Sequence, residues 1–251
     1  MPEPDVKKPK ARRPGKFRLA VLMIIALLPS ALKRLFYRFL FRYKIAKGVR
    51  IGISLIDAGR CEIDHDARIG HFNVIIGVEN LYLGDHVHIG HLNVIRGGKE
   101  VRIGRYAEIF RLNVINSIPD PIIVTPADPR FLLGPGSIIV EGHKIDFTDR
   151  VEIGRRTILG GRNSSLWTHN RQRTRPIEIG SLAYVGSEIR ISPGGAIPSR
   201  CVVGIGSVIA GRLEGENCLI AGVPAKVIKP LDPDDISLIE YKTRPDLPDD
   251  I

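Results

Sequence analysis

Cysteine, tryptophan and long uncharged runs are scarce in this 251-residue chain, and so are acids near its start. The three cysteines, Cys61, Cys201 and Cys218, stand far apart. They show no metal-binding spacing, and three single cysteines suit a reducing, cytosolic-side location. The longest early uncharged run, Leu19 to Leu32, has 14 residues. A bilayer-spanning helix needs about 20, so this run suits a re-entrant or interfacial segment, which Pro29 should bend. The first 50 residues hold only Glu3 and Asp5 against 14 Lys and Arg, whereas the remainder holds 23 basic and 25 acidic residues. A near-neutral body argues against nucleic-acid binding, and a basic arm argues for contact with an anionic surface.

Residues 1–18, rich in Pro, Lys and Arg, read as a disordered basic arm. Residues 19–44 read as an apolar and then amphipathic helical segment. Arg34, Arg38 and Arg42 are four apart, with Leu32, Leu35, Phe36, Phe39, Leu40 and Tyr43 on the other side. A basic side opposite an aromatic one is the pattern of a helix lying in a membrane interface. Basic residues flank the segment on both sides, which predicts that both ends stay cytoplasmic. The expectation is a membrane-surface contact through residues 19–43, on the cytoplasmic side of the inner membrane. Two other readings compete. A signal peptide would need a small-x-small cleavage site, and none clearly follows. Alternatively, the helix packs on the rest of the chain or in an oligomer contact.

Near the other end, Ile179, Val185, Ile191, Ile197, Val203 and Ile209 keep a strict spacing of six. That is neither the helical period of about 3.6 nor the strand period of two. Hexapeptide repeats signal a parallel β-helix, in which each hexad supplies one side of a triangular coil. Gly, Ser or Pro commonly follows the aliphatic residue, and small residues suit tight corners. Upstream, Ala67–Ile75, Val87–Ile95 and Ala107–Ile115 align at a period of twenty. Each coil there is three hexads plus two residues. Equivalent positions run Ile63, Leu83, Ile103, Leu133, Ile153 and Ile179, then Ile197. The fold class is therefore all-β, a β-helix of about eight coils over residues 45–230, with an N-terminal helical segment. At ~4.8 Å per coil the prism is roughly 40 Å tall.

The period breaks twice, predicting excursions at 117–129 and 163–176. The second contains Trp167-Thr168-His169-Asn170. The acidic tail, 231–251, is expected to cover the far end of the prism or lie along its side. Asn73, Asn93 and Asn113 recur at one repeat position and predict a ladder of stacked amides.

The closing string Asn217-Cys-Leu-Ile-Ala-Gly-Val-Pro-Ala-Lys-Val-Ile-Lys229, together with Thr168-His169-Asn170 just before the perfect hexads, resembles the hexapeptide-repeat acyltransferases. That family includes the galactoside, maltose and serine acetyltransferases. The resemblance covers most of residues 45–230 in pattern and is most specific over 150–230. It implies left-handed winding, a homotrimer with sites between neighbouring prisms, and acetyl-CoA as acyl donor substrate with no metal. It implies O-acetylation of a sugar or glycan acceptor, in cell-surface polysaccharide or lipid-linked glycan assembly. His169 takes the place of the catalytic base. Gly186, Ser187, Gly204, Gly206, Ser207, Ala221, Gly222, Ala225 and Lys226 match the donor groove, and backbone N–H groups near Gly186 or Gly194 could hold the oxyanion. Asn163, Trp167 and Asn170 are expected around the base on the acceptor side, and Tyr184 is expected to line the site.

Two other functions fit a β-helix. The γ-class carbonic anhydrases share it and bind zinc through histidines, and His65, His71, His86, His88 and His91 cluster in sequence. That family places a further ligand five residues after its Gly-His pair. Here those positions are Ile76 and Arg96, which favours solvent-facing repeat histidines. The third reading is a non-catalytic scaffold at the membrane.

Overall fold

The computed structural model describes residues 14–118, 127–240, 242 and 244–251. Its strands stack into a parallel solenoid of about eight turns with three faces, a left-handed β-helix. The inward residues form three columns. Face 1 carries Ile63, Leu83, Ile103, Leu133, Ile153, Ile179 and Ile197 in direct register. Face 2 carries Ile51, Ile69, Ile89, Ile109, Ile139, Leu159, Val185, Val203 and Ile220. Face 3 carries Ile56, Ile75, Ile95, Ile115, Ile145, Leu166, Ile191 and Ile209. All are buried. The face 1 column is the one that the sequence period predicts.

Backbone hydrogen bonds run from coil to coil, as in Arg50 N–H to Ala67 C=O (3.0 Å) and Gly70 N–H to Ile89 C=O (2.7 Å). Corners therefore stack backbone on backbone. A Cβ on Gly154 would lie 2.5 Å from the Ser181 nitrogen, so closeness between coils, rather than positive φ, keeps that corner small. Many of the positive-φ positions are held by residues other than glycine, among them Phe72, Leu92, Leu112 and Asn163.

The amide ladder is present. Asn93 Nδ2 donates to Asn73 Oδ1 (3.0 Å), and Asn113 Nδ2 donates to Asn93 Oδ1 (3.0 Å). His143 continues it, donating its backbone N–H to Asn113 Oδ1 (2.9 Å) and accepting the Ser164 N–H on Nδ1 (3.1 Å). Among the described residues His143 Nε2 has no hydrogen-bond partner, and burial pushes the imidazole down to about 4.

At the N-terminal end, α1 (Lys16–Leu27) and α2 (Ser30–Phe41) meet at Pro29 and pack on the first coil. The helix begins at Lys16, so residues 16–18 belong to it and not to the basic arm; residues 1–13 lie outside the described residues. Polar side chains satisfy the first coil's strand edge, which would otherwise be open. Lys33 Nζ donates to the Ile51 and Gly52 carbonyls, Arg38 to the Ile45 carbonyl, and Ser30 Oγ accepts the Ile51 N–H. Arg18 pairs with buried Asp57 (2.6 Å), and the Tyr43 hydroxyl bridges the N–H and C=O of Ala58. Tyr43 is therefore core, not part of an outer apolar face, and Arg42 lies past the helix in the left-handed region. Among the described residues no helix is long and apolar enough to cross a membrane.

At the other end, the strand Cys218–Gly222 continues face 2, and Ala225–Pro230 folds back antiparallel on it. Helix α3 (Pro233–Glu240) packs beside face 2. The tail then runs along the side of the prism. Arg244 reaches the His86 carbonyl (2.9 Å), Arg105 meets Asp250 (2.6 Å), and Leu247 and Ile251 are buried.

Candidate active site

The second interruption of the repeat is a short hairpin. The strand Ser165–Trp167 still pairs in face 3, against Lys144–Asp146 below it. The chain leaves the coil only at Thr168 and returns at Arg175, whose N–H donates to the Thr168 carbonyl (2.8 Å). The excursion is therefore shorter than the 163–176 expected. Both interruptions leave the corner between faces 3 and 1. Of the first, expected at 117–129, residues 119–126 lie outside the described residues.

His169 stands at the base of this hairpin with its side chain only 14% exposed. Its Nδ1 lies 2.6 Å from Asp146 Oδ2. Asp146 is buried and accepts from four further donors. Thr168 donates its N–H (3.2 Å) and Oγ1–H (2.9 Å) to Oδ2, and Thr148 donates its N–H (3.1 Å) and Oγ1–H (2.6 Å) to Oδ1. A buried carboxylate held by so many donors is fixed in place. With its oxygens arranged as acceptors, Asp146 suits an Nδ1–H donor on His169, an arrangement that leaves the Nε2 lone pair free. This is the tautomer that a general base needs. The network also reaches the first interruption, because the Ile118 N–H donates to Thr148 Oγ1 (2.9 Å).

Asp146 is the residue that sequence reading missed. The signal was present in the repeat. Ile145 sits beneath Leu166 in face 3, so Asp146 must lie beneath Trp167 and beside the start of the hairpin.

The other expected residues scatter. Trp167 faces outward beside the dyad and is 44% exposed. Asn170 is committed to the hairpin, its Oδ1 accepting the N–H groups of Gln172 (2.8 Å) and Arg173 (2.9 Å). Its amide oxygen is therefore a turn device and not an acceptor contact. Asn163 is exposed at the corner between faces 2 and 3, with φ of 61°. Tyr184 lies in face 2. Neither is brought to His169, since face 3 separates that corner from the hairpin.

Gly186, Ser187, Gly204 and Gly206 follow face 2 strands along the same remote corner, partly or fully exposed. Ser207 is buried and its hydroxyl donates to the Gly204 carbonyl (2.6 Å), so it braces the corner. Ala225 is buried also. Ala221, Gly222 and Lys226 sit on the closing hairpin, with Gly222 and Lys226 exposed.

The clustered histidines have other engagements. His71 Nδ1 accepts the Ile53 N–H (3.1 Å), His91 Nδ1 accepts the His71 N–H (3.0 Å), and the two rings stack 5.7 Å apart. Among the described residues, no group of three His, Cys, Asp or Glu is placed to hold a metal.

No protein-family profile matches the chain. A curated relative is 43% identical over 53 residues, which is 21% of this chain and 26% of the relative. It is WbbJ of Escherichia coli (strain K12), provisionally named as a lipopolysaccharide biosynthesis O-acetyl transferase. The match thus spans about a quarter of that relative's length. Among solved structures, a UDP-N-acetylglucosamine acyltransferase superposes with a TM-score of 0.51 at 15% identity, over 78% of this chain and 76% of that one. A hexapeptide transferase family protein from Anaplasma phagocytophilum gives 0.49 at 18% identity, over 65% and 86%. By its six-residue register and its three-faced coil, this chain is a hexapeptide-repeat protein of the left-handed β-helix fold.

Proposed function

We propose that the chain is an acyltransferase that moves an acetyl group from acetyl-CoA to a sugar hydroxyl, in cell-surface polysaccharide or lipid-linked glycan biosynthesis. The observation that carries this reading is the His169–Asp146 dyad on a hairpin that interrupts an otherwise regular prism. The partial match to the O-acetyl transferase WbbJ supports the same reaction class.

The chemistry needs few groups. His169 Nε2 removes the proton from the acceptor hydroxyl as its oxygen attacks the thioester carbonyl. Asp146 stabilises the imidazolium that forms, in the way that the carboxylate of a Ser-His-Asp site does. The tetrahedral intermediate collapses, the C–S bond breaks, and the imidazolium returns the proton to the departing CoA sulfur. Atoms balance as ester plus free thiol, and no metal enters.

Within one chain the dyad and the remote corner of Gly186, Ser187, Gly204 and Gly206 lie on different edges of the prism. In the homotrimer reading a neighbouring copy supplies the corner that one chain's dyad lacks, and the separation of the two within one chain is what favours that reading. The outward apolar side of the N-terminal helices supports contact with a membrane surface through residues 19–43, and we place that contact on the cytoplasmic side of the inner membrane.

The test is acetyl transfer from labelled acetyl-CoA to glycan extracted from the source cells. His169→Ala should abolish transfer while the far-ultraviolet circular dichroism and the thermal transition stay as in the wild type. A folded His169→Ala protein with full activity would remove the base from the mechanism.

A further inference from the structure

The amphipathic helix α2 is docked the wrong way round for a structural cap. An apolar stripe ordinarily faces the core. Here the side against the prism is made by Lys33, buried to 2%, and by Tyr37. Leu32, Leu35, Phe36 and Phe39 lie on the opposite side and face outward, with Leu35 59% and Phe39 81% exposed. Helix α1 does the same in part, since Phe17, Ile24 and Leu27 are 84%, 65% and 73% exposed. Beside this surface, Ala31, Leu32, Arg34, Leu35, Arg38 and Lys47 line an open cleft of about 500 Å³. Three cations and an apolar wall form it, and between Asp5 and Asp57 the sequence has no acid. Of these cations, Arg34 is half-buried and Lys47 is exposed.

We propose that the cleft between α2 and the first coil binds the phosphate headgroup of an anionic phospholipid, so that the prism stands end-on upon the membrane with the outer side of α1 and α2 in the interface. The chemistry matches both parts of such a lipid. The cations meet the phosphate, and the outward Leu and Phe side chains meet the acyl boundary. A second copy presenting this same end would offer the cleft only like charge, since the sequence between Asp5 and Asp57 has no acid.

Standing on end also sets a height. The strand Ser165–Trp167 lies five levels above Ile56 in face 3. At ~4.8 Å per level, His169 is held roughly 24 Å from the membrane-facing end. If the acyl-transfer reading holds, a lipid-anchored acceptor must present its hydroxyl well out along its glycan, and hydroxyls next to the anchor are out of reach.

The experiment is co-sedimentation of the full chain with vesicles of phosphatidylcholine, with and without phosphatidylglycerol. It needs no acyl acceptor, so its outcome is separate from that of the transfer reading, and the His169→Ala protein should bind as the wild type does. The wild type should bind the anionic vesicles and not the neutral ones. Arg34→Ala/Lys47→Ala should weaken binding by about thirtyfold, and Phe39→Ser should weaken it with the fold unchanged. Equal binding by the double variant, or equal binding to neutral vesicles, would overturn the headgroup site. Absence of vesicle binding, with Phe39→Ser lowering the mass of the protein in solution, would assign the surface to a second copy and overturn it also.

Discussion

Replacing Asp146 with asparagine tests the dyad with the least change in volume. The carboxylate accepts five hydrogen bonds, three on Oδ2 from His169 and Thr168 and two on Oδ1 from Thr148. An amide has one accepting oxygen. If that oxygen faces Thr148, the new NH₂ meets the His169 Nδ1–H and the Thr168 N–H, donor against donor. The imidazole then escapes by moving its proton to Nε2, which removes the lone pair from the reacting nitrogen. If the amide turns round, the NH₂ opposes the Thr148 N–H instead. Either way a charge-assisted bond worth about 1.5–3 kcal/mol is lost. In the Ser-His-Asp sites a wrong tautomer costs about 10⁴ in kcat. We expect kcat for acetyl transfer to fall by about 10²–10⁴, with KM for acetyl-CoA moving less than about threefold, because the change is felt in the transition state. Stability should drop by about 2 kcal/mol in urea unfolding. Steady-state kinetics with both substrates varied, beside circular dichroism, reads all three. A folded Asp146→Asn protein with kcat within about threefold of wild type would refute the role given to Asp146.

Two further predictions concern the ladder. Asn93→Ala removes bonds to Asn73, Phe110 and Asn113 and leaves the Asn113 N–H and the Phe110 carbonyl unpaired inside the prism. It should cost about 3–5 kcal/mol by urea extrapolation, and a loss under about 1 kcal/mol would mean that the ladder is ornamental. His143 is held neutral by burial, at about 4 against its ordinary 6.5. The unfolded chain therefore binds the proton first, so the contribution is intact above pH 6.5 and fades as pH falls toward 4, by up to roughly 3 kcal/mol. His143→Asn extends the amide column and should lose that acid-sensitive component. An unchanged stability–pH curve would show that His143 is not its source.

The fold was legible because a period of six has one reading. Once Ile63 through Ile197 were aligned, the face 1 column followed, and the structure keeps that register residue by residue. His169 was legible because it stands where the period fails. Asp146 was not, since it lies inside a regular strand and its partner is 23 residues away. Only the stacking of Ile145 under Leu166 brings them together. Ser207 and Asn170 misled for a common reason. Small polar residues at corners and turns satisfy the backbone first, and sequence alone does not tell a hydroxyl that braces a corner from one that meets a ligand. The helices were legible in pattern but not in orientation. Their amphipathic pattern was readable, but which side would face the prism depended on the open carbonyls of the first coil, and Lys33 answers those better than leucine can.

The most direct test of the central claim is transfer of labelled acetyl from acetyl-CoA to glycan of the source cells, with wild-type protein and its His169→Ala variant side by side. The account predicts labelled glycan from the wild type, and a loss of about 10³-fold or more in the folded variant. Labelling at the wild-type rate by His169→Ala, or the absence of any acetyl-CoA-dependent labelling by the wild type, would contradict it.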